Sequence, residues 1–166
     1  MPADPLAAAV LATLVARGET LATAESLTGG LIGAALTSVP GSSAAYRGGL
    51  ITYATDLKHS LAGVPEVLLS GAGVISPRTA EAMAAGVRDA TSSDWGLAVT
   101  GVAGPDPQEG HPAGEVWVGL AAPGVAAMAR RLDLAGDRDA IRAATVAGAL
   151  GWLDRELRAA QGSRRG

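Results

Sequence analysis

Ser26 is the first residue whose type and position favour chemistry. It stands in the segment TAESLTGG (23–30), between a short apolar stretch and a second apolar run. A serine that opens a helix is commonly its N-cap, because the side-chain oxygen accepts a hydrogen bond from a free backbone N–H. The same place suits a nucleophile, because the N–H groups and the dipole of a helix N-terminus stabilise a developing oxyanion. The residues alone leave both roles open.

Two glycines follow Ser26 closely. Gly29 and Gly30 would stand in the second turn of such a helix, where each costs about 1 kcal/mol relative to alanine. This cost indicates either that a substrate approaches the backbone closely or that the glycines pack against a neighbouring strand. Glu25, just before the serine, is interpreted as a cap for backbone N–H groups, as a support for a neighbour, or as a solvated charge.

Lys58 is the candidate for the base that a serine nucleophile requires. It is the single lysine among 13 basic residues, so the other 12 are arginines. A desolvated lysine gives up its proton readily whereas arginine does not, and Ser–Lys pairs are a known variant of serine–base catalysis. Tyr53 is interpreted as a proton carrier between the pair or as a buried strand tyrosine. Neither His59 nor His111 has a context that favours a triad.

The loop TGVAGPDP (100–107) offers a second set of polar groups. The Thr100 hydroxyl and the N–H groups of a turn containing Gly101 and Gly104 would suit a phosphate, a carboxylate or an oxyanion. An ordinary turn is the alternative. Asp106 has no partner at ligand spacing, so no metal site is predicted.

The segment GDRDAIR (136–142) places Arg138 and Arg142 one helical turn apart. Guanidinium groups bind phosphate through paired hydrogen bonds, so the two arginines are a candidate anion clamp. Surface ion pairing with Asp139 is the alternative.

Short apolar strands alternate with helices along the chain, which predicts a layered α/β sandwich with a mixed sheet covered by helices. The short turns between the last strands favour an antiparallel portion. The abundance of alanine and glycine predicts close packing of helices on the sheet. Helices are expected to span 26–38 and 55–61, and further helices to begin at residue 5 after an Asp4 cap, at residue 77 and after residue 137. Strands are expected to span 20–24, 49–54, 95–100, 114–122 and 126–134.

Composition narrows the class of protein. A length of 166 residues suits a single domain over 1–166, with a core of about 5–158 and a frayed tail at 161–166. The net charge is −3 and no basic cluster precedes Arg164 and Arg165, which argues against nucleic-acid binding. The absence of cysteine excludes disulfides and thiol chemistry. No signal peptide or membrane span is indicated, so a cytoplasmic protein without membrane contact is expected.

Together, five segments resemble the CinA C-terminal domain family over about residues 5–158. They are TAESLTGGLIGAAL, VPGSSAAYRGGLITYATDLKHSLAGV, GVISPRTAEAMAAG, AVTGVAGPDP and GDRDAIR. Enzymatic members of this family are nicotinamide-nucleotide amidases, which convert nicotinamide mononucleotide to nicotinate mononucleotide and ammonia. The resemblance implies this activity without metal or cofactor, in an α/β sandwich that forms a homodimer. Because no N-terminal nucleotide-processing domain is present, the chain resembles the stand-alone deamidases.

The resemblance also implies roles for individual residues. The serine of TAES falls on Ser26, the nucleophile, the family's lysine falls on Lys58, the base, and the intervening tyrosine falls on Tyr53. The Gly pair would make room for the substrate, and the ribose phosphate would sit against GSS (41–43) or the arginine pair. The expected substrate-binding residues are Thr28, Gly29, Gly30, Ser42, Ser43, Thr100, Gly101, Gly104, Arg138 and Arg142.

Two features depart from the family pattern. The loop after GPD reads PQEGHPAG, so that Pro107 and His111 replace a Gly-Gly and Lys-Pro-Val-Gly pattern, and Leu27 stands where a small or thiol residue is frequent. These changes affect loop shape and substrate affinity but leave the Ser–Lys pair intact. A Ser–Lys amidase acting on another small amide, and a non-catalytic nucleotide-binding or regulatory module, are the alternative functions.

Overall fold

The computed structural model describes residues 2–163 and contains six helices and five strands within them. The helices are α1 (Pro5–Arg17), α2 (Leu31–Thr37), α3 (Thr55–Ser60), α4 (Glu66–Gly71), α5 (Pro77–Thr91) and α6 (Arg138–Ser163), with a 3₁₀ turn at Ser42–Ala44. The strands are β1 (Leu21–Glu25), β2 (Tyr46–Ile51), β3 (Trp95–Gly101), β4 (Glu115–Ala121) and β5 (Met128–Asp133). Helix α6 continues through Ser163, whereas Arg164, Arg165 and the end of the expected tail lie outside the described residues. None of the helices within 2–163 combines the length and apolar character needed to cross a membrane.

The five strands form one mixed sheet in the order β2-β1-β3-β4-β5. Strand β1 runs parallel to β2 and β3, whereas β4 and β5 are antiparallel to their neighbours. The predicted α/β sandwich with an antiparallel portion is therefore confirmed. Glu25 at the end of β1 pairs with Ile51 and with Val99, so the carboxyl ends of the three parallel strands meet at one edge.

The two faces of the sheet carry side chains of different size. On the face covered by α1 and α6, the strands present large, fully buried residues such as Leu21, Leu97 and Leu120. On the face covered by α5, the strands present small residues such as Ala24 and Ala98. Because successive strand residues point to opposite faces, this alternation lets α5 approach the sheet more closely.

Glycines on β3 and β4 mark where α5 makes its closest approach. A methyl group added at Gly119 would overlap the Ala80 carbonyl oxygen, and one at Gly96 would overlap the Ala84 carbonyl oxygen. Gly119→Ala is therefore expected to lower the free energy of unfolding by about 1–3 kcal/mol, the usual cost of overpacking. Urea denaturation measures this change. Gly71→Ala is the matched control, because its added methyl meets open space, and equal stability of the two variants would contradict close packing at Gly119.

Helix α2 begins later than predicted. It starts at Leu31 rather than Ser26, and Gly30, not Ser26, occupies its N-cap. The reason is the backbone of Gly29 and Gly30, whose φ values of +57° and +106° lie in the left-handed region and prevent a continuous helix. The prediction that Ser26 opens this helix was therefore wrong.

Two further boundaries differ from expectation. Strand β2 ends at Ile51, so Tyr53 lies beyond the strand and is 60% exposed. The predicted extension of this strand to residue 54 was therefore wrong, and so was the alternative interpretation of Tyr53 as a buried strand tyrosine. The sequence analysis did not predict α4, a six-residue helix whose N-cap, Pro65, makes no side-chain hydrogen bond.

Candidate active site

A cavity of about 570 Å³ opens at the edge where β1, β2 and β3 end. Ligands commonly bind at the carboxyl ends of parallel strands. The polar side chains around this cavity belong to Ser26, Tyr53, Thr55, Lys58, Thr100, Asp106, Gln108 and Arg138. The sheet thus brings together residues from distant segments of the chain.

Ser26 and Lys58 form a buried pair in this cavity. Lys58 Nζ lies 3.1 Å from Ser26 Oγ, and only 2% of Lys58 and 8% of Ser26 is exposed. Ser26 directly follows β1, and its N–H donates to the Val99 carbonyl of β3 at 3.1 Å. Lys58 reaches it from α3, which follows β2. The fold thus holds the predicted nucleophile and base within hydrogen-bonding distance.

The surroundings of Lys58 favour its neutral form. Burial lowers the pKa of Lys58 from 10.5 to about 8, and the negative charge of Glu109 partly opposes this shift. Nζ also donates to the Thr52 carbonyl at 2.7 Å and lies 3.4 Å from the Tyr53 carbonyl. In a neutral amine these acceptors engage the two N–H groups and leave the lone pair to receive the Ser26 proton.

The Tyr53 side chain is turned toward Arg138. Its hydroxyl accepts a hydrogen bond from Arg138 Nη2 at 3.2 Å and makes none with Ser26 or Lys58. The hydroxyl therefore does not lie between Ser26 and Lys58, contrary to the interpretation of Tyr53 as a proton carrier. The backbone carbonyl of Tyr53, rather than its ring, contacts the lysine.

Glu25 occupies the N-terminus of α2. Its buried carboxylate accepts hydrogen bonds from the N–H groups of Gly30 at 3.2 Å, Ile32 at 2.9 Å and Gly33 at 3.0 Å. The Thr28 hydroxyl donates to the same carboxylate at 2.6 Å. These N–H groups are therefore not free for an oxyanion, contrary to the expectation from the sequence. The fully buried Thr28 side chain supports the turn and does not line the cavity.

The loop after β3 lines the opposite part of the cavity. Thr100, near the end of β3, donates its hydroxyl to the Val74 carbonyl at 2.7 Å and so holds the segment that leads into α5. Gly101 is required for packing, because a Cβ there would lie 2.6 Å from the Glu115 carbonyl oxygen of β4. The Gly104 carbonyl accepts a hydrogen bond from Arg138 Nη1 at 2.8 Å.

The two arginines at the start of α6 face different surroundings. Arg138 lines the cavity, whereas Arg142 donates to the carbonyls of Leu27 at 3.1 Å and Thr28 at 3.3 Å. Arg142 also lies 3.8 Å from Asp139, the ion pair that was the alternative interpretation. The predicted two-arginine clamp is therefore not formed.

Ser42 and Ser43 lie away from the cavity. They belong to the 3₁₀ turn that precedes β2, at the amino ends of the parallel strands. Ser26 and Lys58 follow the carboxyl ends of these strands, at the opposite edge of the sheet. The expectation that GSS (41–43) contacts the substrate phosphate is not met within this chain.

A protein-family model described as the CinA C-terminal domain matches residues 3–157. The chain belongs to the CinA C-terminal domain family. A CinA-like protein of Frankia casuarinae is 52% identical over 154 residues, which cover 93% of this chain and 35% of that protein. A putative competence-damage inducible protein of Levilactobacillus brevis is 48% identical, over 93% of this chain and 37% of its own length. This CinA C-terminal domain thus spans about a third of the length of these curated relatives.

Solved structures of the family have the same fold. The competence damage-inducible protein A of Klebsiella pneumoniae matches with a TM-score of 0.89 and 34% identity, over 92% of this chain and 95% of that one. The competence/damage inducible protein CihA of Agrobacterium tumefaciens matches with a TM-score of 0.89 and 34% identity, over 95% and 99% of the two chains.

Glu109, which the sequence analysis did not identify as a site residue, acts on this CinA-family site through its negative charge near Lys58. It lies in the atypical PQEGHPAG loop, and its carboxylate accepts a hydrogen bond from the Val74 N–H at 3.2 Å. Within residues 2–163, no group of three or more His, Asp or Glu side chains is arranged to hold a metal ion. A carboxylate in a Gly- and Pro-rich loop was the only signal in the sequence, and only the fold places it near Lys58.

Proposed function

We propose that this protein is an amidohydrolase that converts nicotinamide mononucleotide to nicotinate mononucleotide and ammonia through a Ser–Lys mechanism. The observation that carries the proposal is the buried 3.1 Å contact between Ser26 Oγ and Lys58 Nζ in the wall of the cavity. Burial that lowers the pKa of Lys58 to about 8 gives this lysine the character of a base. The resemblance to the nicotinamide-nucleotide amidases suggests the substrate.

The proposed reaction has two stages. Ser26 Oγ attacks the carboxamide carbon, Lys58 takes the hydroxyl proton, and the carbonyl bond opens to an oxyanion. When the oxyanion collapses, the C–N bond breaks and Lys58 returns the proton to the departing nitrogen, which leaves as ammonia. Water then attacks the ester carbon while Lys58 takes a proton from it; the C–O bond to Ser26 breaks, Lys58 returns the proton to Ser26 Oγ, and the carboxylate product leaves.

The cavity suits a small anionic nucleotide. Its volume of about 570 Å³ lies within the usual range of about 300–1,000 Å³ for small-molecule sites. Arg138 offers a positive charge at the exposed part of the lining. The neighbouring Tyr53 ring is exposed, and an aromatic face attracts a cation such as the pyridinium ring.

An ammonia-release assay on the purified protein tests the proposal. Nicotinamide mononucleotide, its riboside and free nicotinamide are compared under the same conditions. Faster release from the mononucleotide supports the proposal, whereas similar release from unrelated small amides indicates the broader Ser–Lys amidase. Tight binding of the nucleotide without any ammonia indicates the non-catalytic module and rejects the amidase.

Arg138→Ala is expected to raise the KM for the mononucleotide about 10-fold or more, because a charge-assisted hydrogen bond contributes about 1.5–3 kcal/mol. The KM for the riboside, which lacks the phosphate, should change much less. Steady-state kinetics on both substrates measure the difference. Arg158→Ala is the matched control, because Arg158 lies far along α6 and pairs with Asp154. Equal effects of Arg138→Ala on the two substrates would show that Arg138 does not bind the phosphate.

A further inference from the structure

The segment after Ser26 is a tight turn with unpaired N–H groups. The Gly29 N–H donates to the Ser26 carbonyl at 3.0 Å, so Leu27 and Thr28 are the two central residues of the turn. Among residues 2–163, the N–H groups of Leu27 and Thr28 have no hydrogen-bond partner. The Ser26 N–H is bound to Val99, and the Gly30 N–H is bound to Glu25. Leu27 lines the cavity, so its N–H is a free donor next to the nucleophile, whereas Thr28 is fully buried and lies outside the cavity lining.

Arg142 binds the carbonyl side of this turn. Its Nε donates to the Leu27 carbonyl at 3.1 Å, and its Nη2 donates to the Thr28 carbonyl at 3.3 Å. The two contacts bind successive carbonyls of the turn, so the guanidinium holds the backbone that carries the Leu27 N–H next to Ser26.

We propose that Arg142 is a positioning residue that holds the turn after Ser26, so that the Leu27 N–H serves as the oxyanion-hole donor for the Ser26 reaction. The inference rests on the proposed Ser–Lys function. When Ser26 Oγ bonds to the carbonyl carbon, its proton passes to Lys58 and the carbonyl electron pair moves to oxygen. That oxygen accepts a hydrogen bond from the Leu27 N–H. The N–H of the residue after the nucleophile has the same role in other serine hydrolases.

This role differs from two other assignments. If Arg142 bound the substrate phosphate, its loss would affect only the phosphorylated substrate. If the N–H groups of the Thr100–Gly104 loop formed the oxyanion hole, Arg142 would have little effect, since its hydrogen bonds go to Leu27 and Thr28. The planar fork of arginine reaches both carbonyls, which the single ammonium of a lysine does not reproduce.

The first test compares Arg142→Gln, Arg142→Lys and Asp139→Asn. Loss of one oxyanion-hole donor costs about 10²–10³-fold in kcat, so Arg142→Gln is expected to lose about 10–100-fold. The loss should be equal for the mononucleotide and the riboside, with KM nearly unchanged and Arg142→Lys intermediate. Asp139→Asn removes the 92%-exposed partner of Arg142 but leaves the carbonyl contacts, so kcat should be retained. A change confined to the mononucleotide KM would overturn the inference.

The second test measures the rate of covalent labelling of Ser26, which depends on the oxyanion hole but needs no amide substrate. A fluorophosphonate labels Ser26 when Oγ forms a P–O bond, fluoride leaves, and Lys58 takes the hydroxyl proton; the phosphonyl oxygen then occupies the oxyanion position. Mass spectrometry should show that Arg142→Gln labels about 10–100-fold more slowly. Labelling at the wild-type rate by a folded Arg142→Gln or Arg142→Lys protein would overturn the inference.

The two tests separate the inference from the proposed function. If the wild-type protein labels at Ser26 but releases no ammonia from the nucleotide, the proposed function fails and the labelling rates still decide the role of Arg142. If the wild-type Ser26 is not labelled, both are overturned. Thermal unfolding checks that each variant is folded. If the Arg142→Gln protein does not fold, the labelling rate of the Arg142→Lys protein decides the result.

Discussion

Ser26→Ala is expected to abolish amide hydrolysis, with a loss in kcat of about 10⁴-fold or more. The serine nucleophile of a hydrolase acts as a unit with its base, so removing it costs nearly as much as removing the whole set. Among residues 2–163, Ser26 is the only residue whose hydroxyl contacts Lys58 Nζ, at 3.1 Å. Single-turnover ammonia release with enzyme in excess measures the loss, and a variant with wild-type turnover would show that Ser26 is not the nucleophile.

The same variant is expected to keep its fold. Gly30 is the N-cap of α2, so the Ser26 side chain does not cap that helix. The free energy of unfolding should therefore change by less than about 1 kcal/mol. Asp4→Ala is the reciprocal control, because the Asp4 carboxylate caps α1 by accepting from Leu6 and Ala7 at 2.8 and 3.0 Å. It should lose about 1 kcal/mol of stability, the usual value for a cap, and keep full turnover.

The sequence was sufficient to predict the layered fold and the pairing of Ser26 with Lys58. Strands such as β3 and β4 are short apolar runs, and the α1 and α5 starts carry Asp4 or Ser76 caps followed by proline. The pair was predictable because chemistry restricts residue type. Lysine can lose its proton and act as a base whereas arginine cannot, so the single lysine of an otherwise arginine-based chain is conspicuous.

The remaining site residues depend on distances that local patterns do not encode. Helical spacing places Arg138 and Arg142 on one side of α6 but does not show that one faces the cavity and the other faces the Leu27–Thr28 carbonyls. The left-handed conformation of Gly29 and Gly30 follows from the turn, whereas a glycine in the sequence is compatible with helix, turn or close packing. Glu109 reaches Val74 across 35 positions of the chain, and no spacing rule predicts such a contact.

Lys58→Arg is expected to lose about 10²-fold or more in kcat, the usual contribution of a general base. The substitution keeps the positive charge and most of the length of the side chain. If Lys58 only bound an anion or an ion-pair partner, arginine would preserve much of the activity. If Lys58 takes the Ser26 proton, arginine fails because its guanidinium stays protonated in the working pH range.

The pH dependence of the rate should also differ between the wild-type and Lys58→Arg proteins. Because burial lowers the pKa of Lys58 to about 8, about a tenth of the lysine is neutral at pH 7. The wild-type rate should therefore rise through pH 6 and 7, be half-maximal near pH 8, and level off only well above pH 8, where the neutral amine predominates. The Lys58→Arg protein should show no such rise, although it should still bind the nucleotide.

Glu109→Gln is the companion variant for the same profile. The carboxylate of Glu109 raises the pKa of Lys58 against the effect of burial, so its neutralisation should move the rising limb to lower pH. Glutamine retains an oxygen that can accept the Val74 N–H at this place, so loop geometry is preserved. Stopped-flow or quenched single-turnover kinetics across this pH range would measure all three proteins. An active Lys58→Arg enzyme with the wild-type pH profile would show that the proton of Ser26 goes elsewhere, and the amidase would then require a different base.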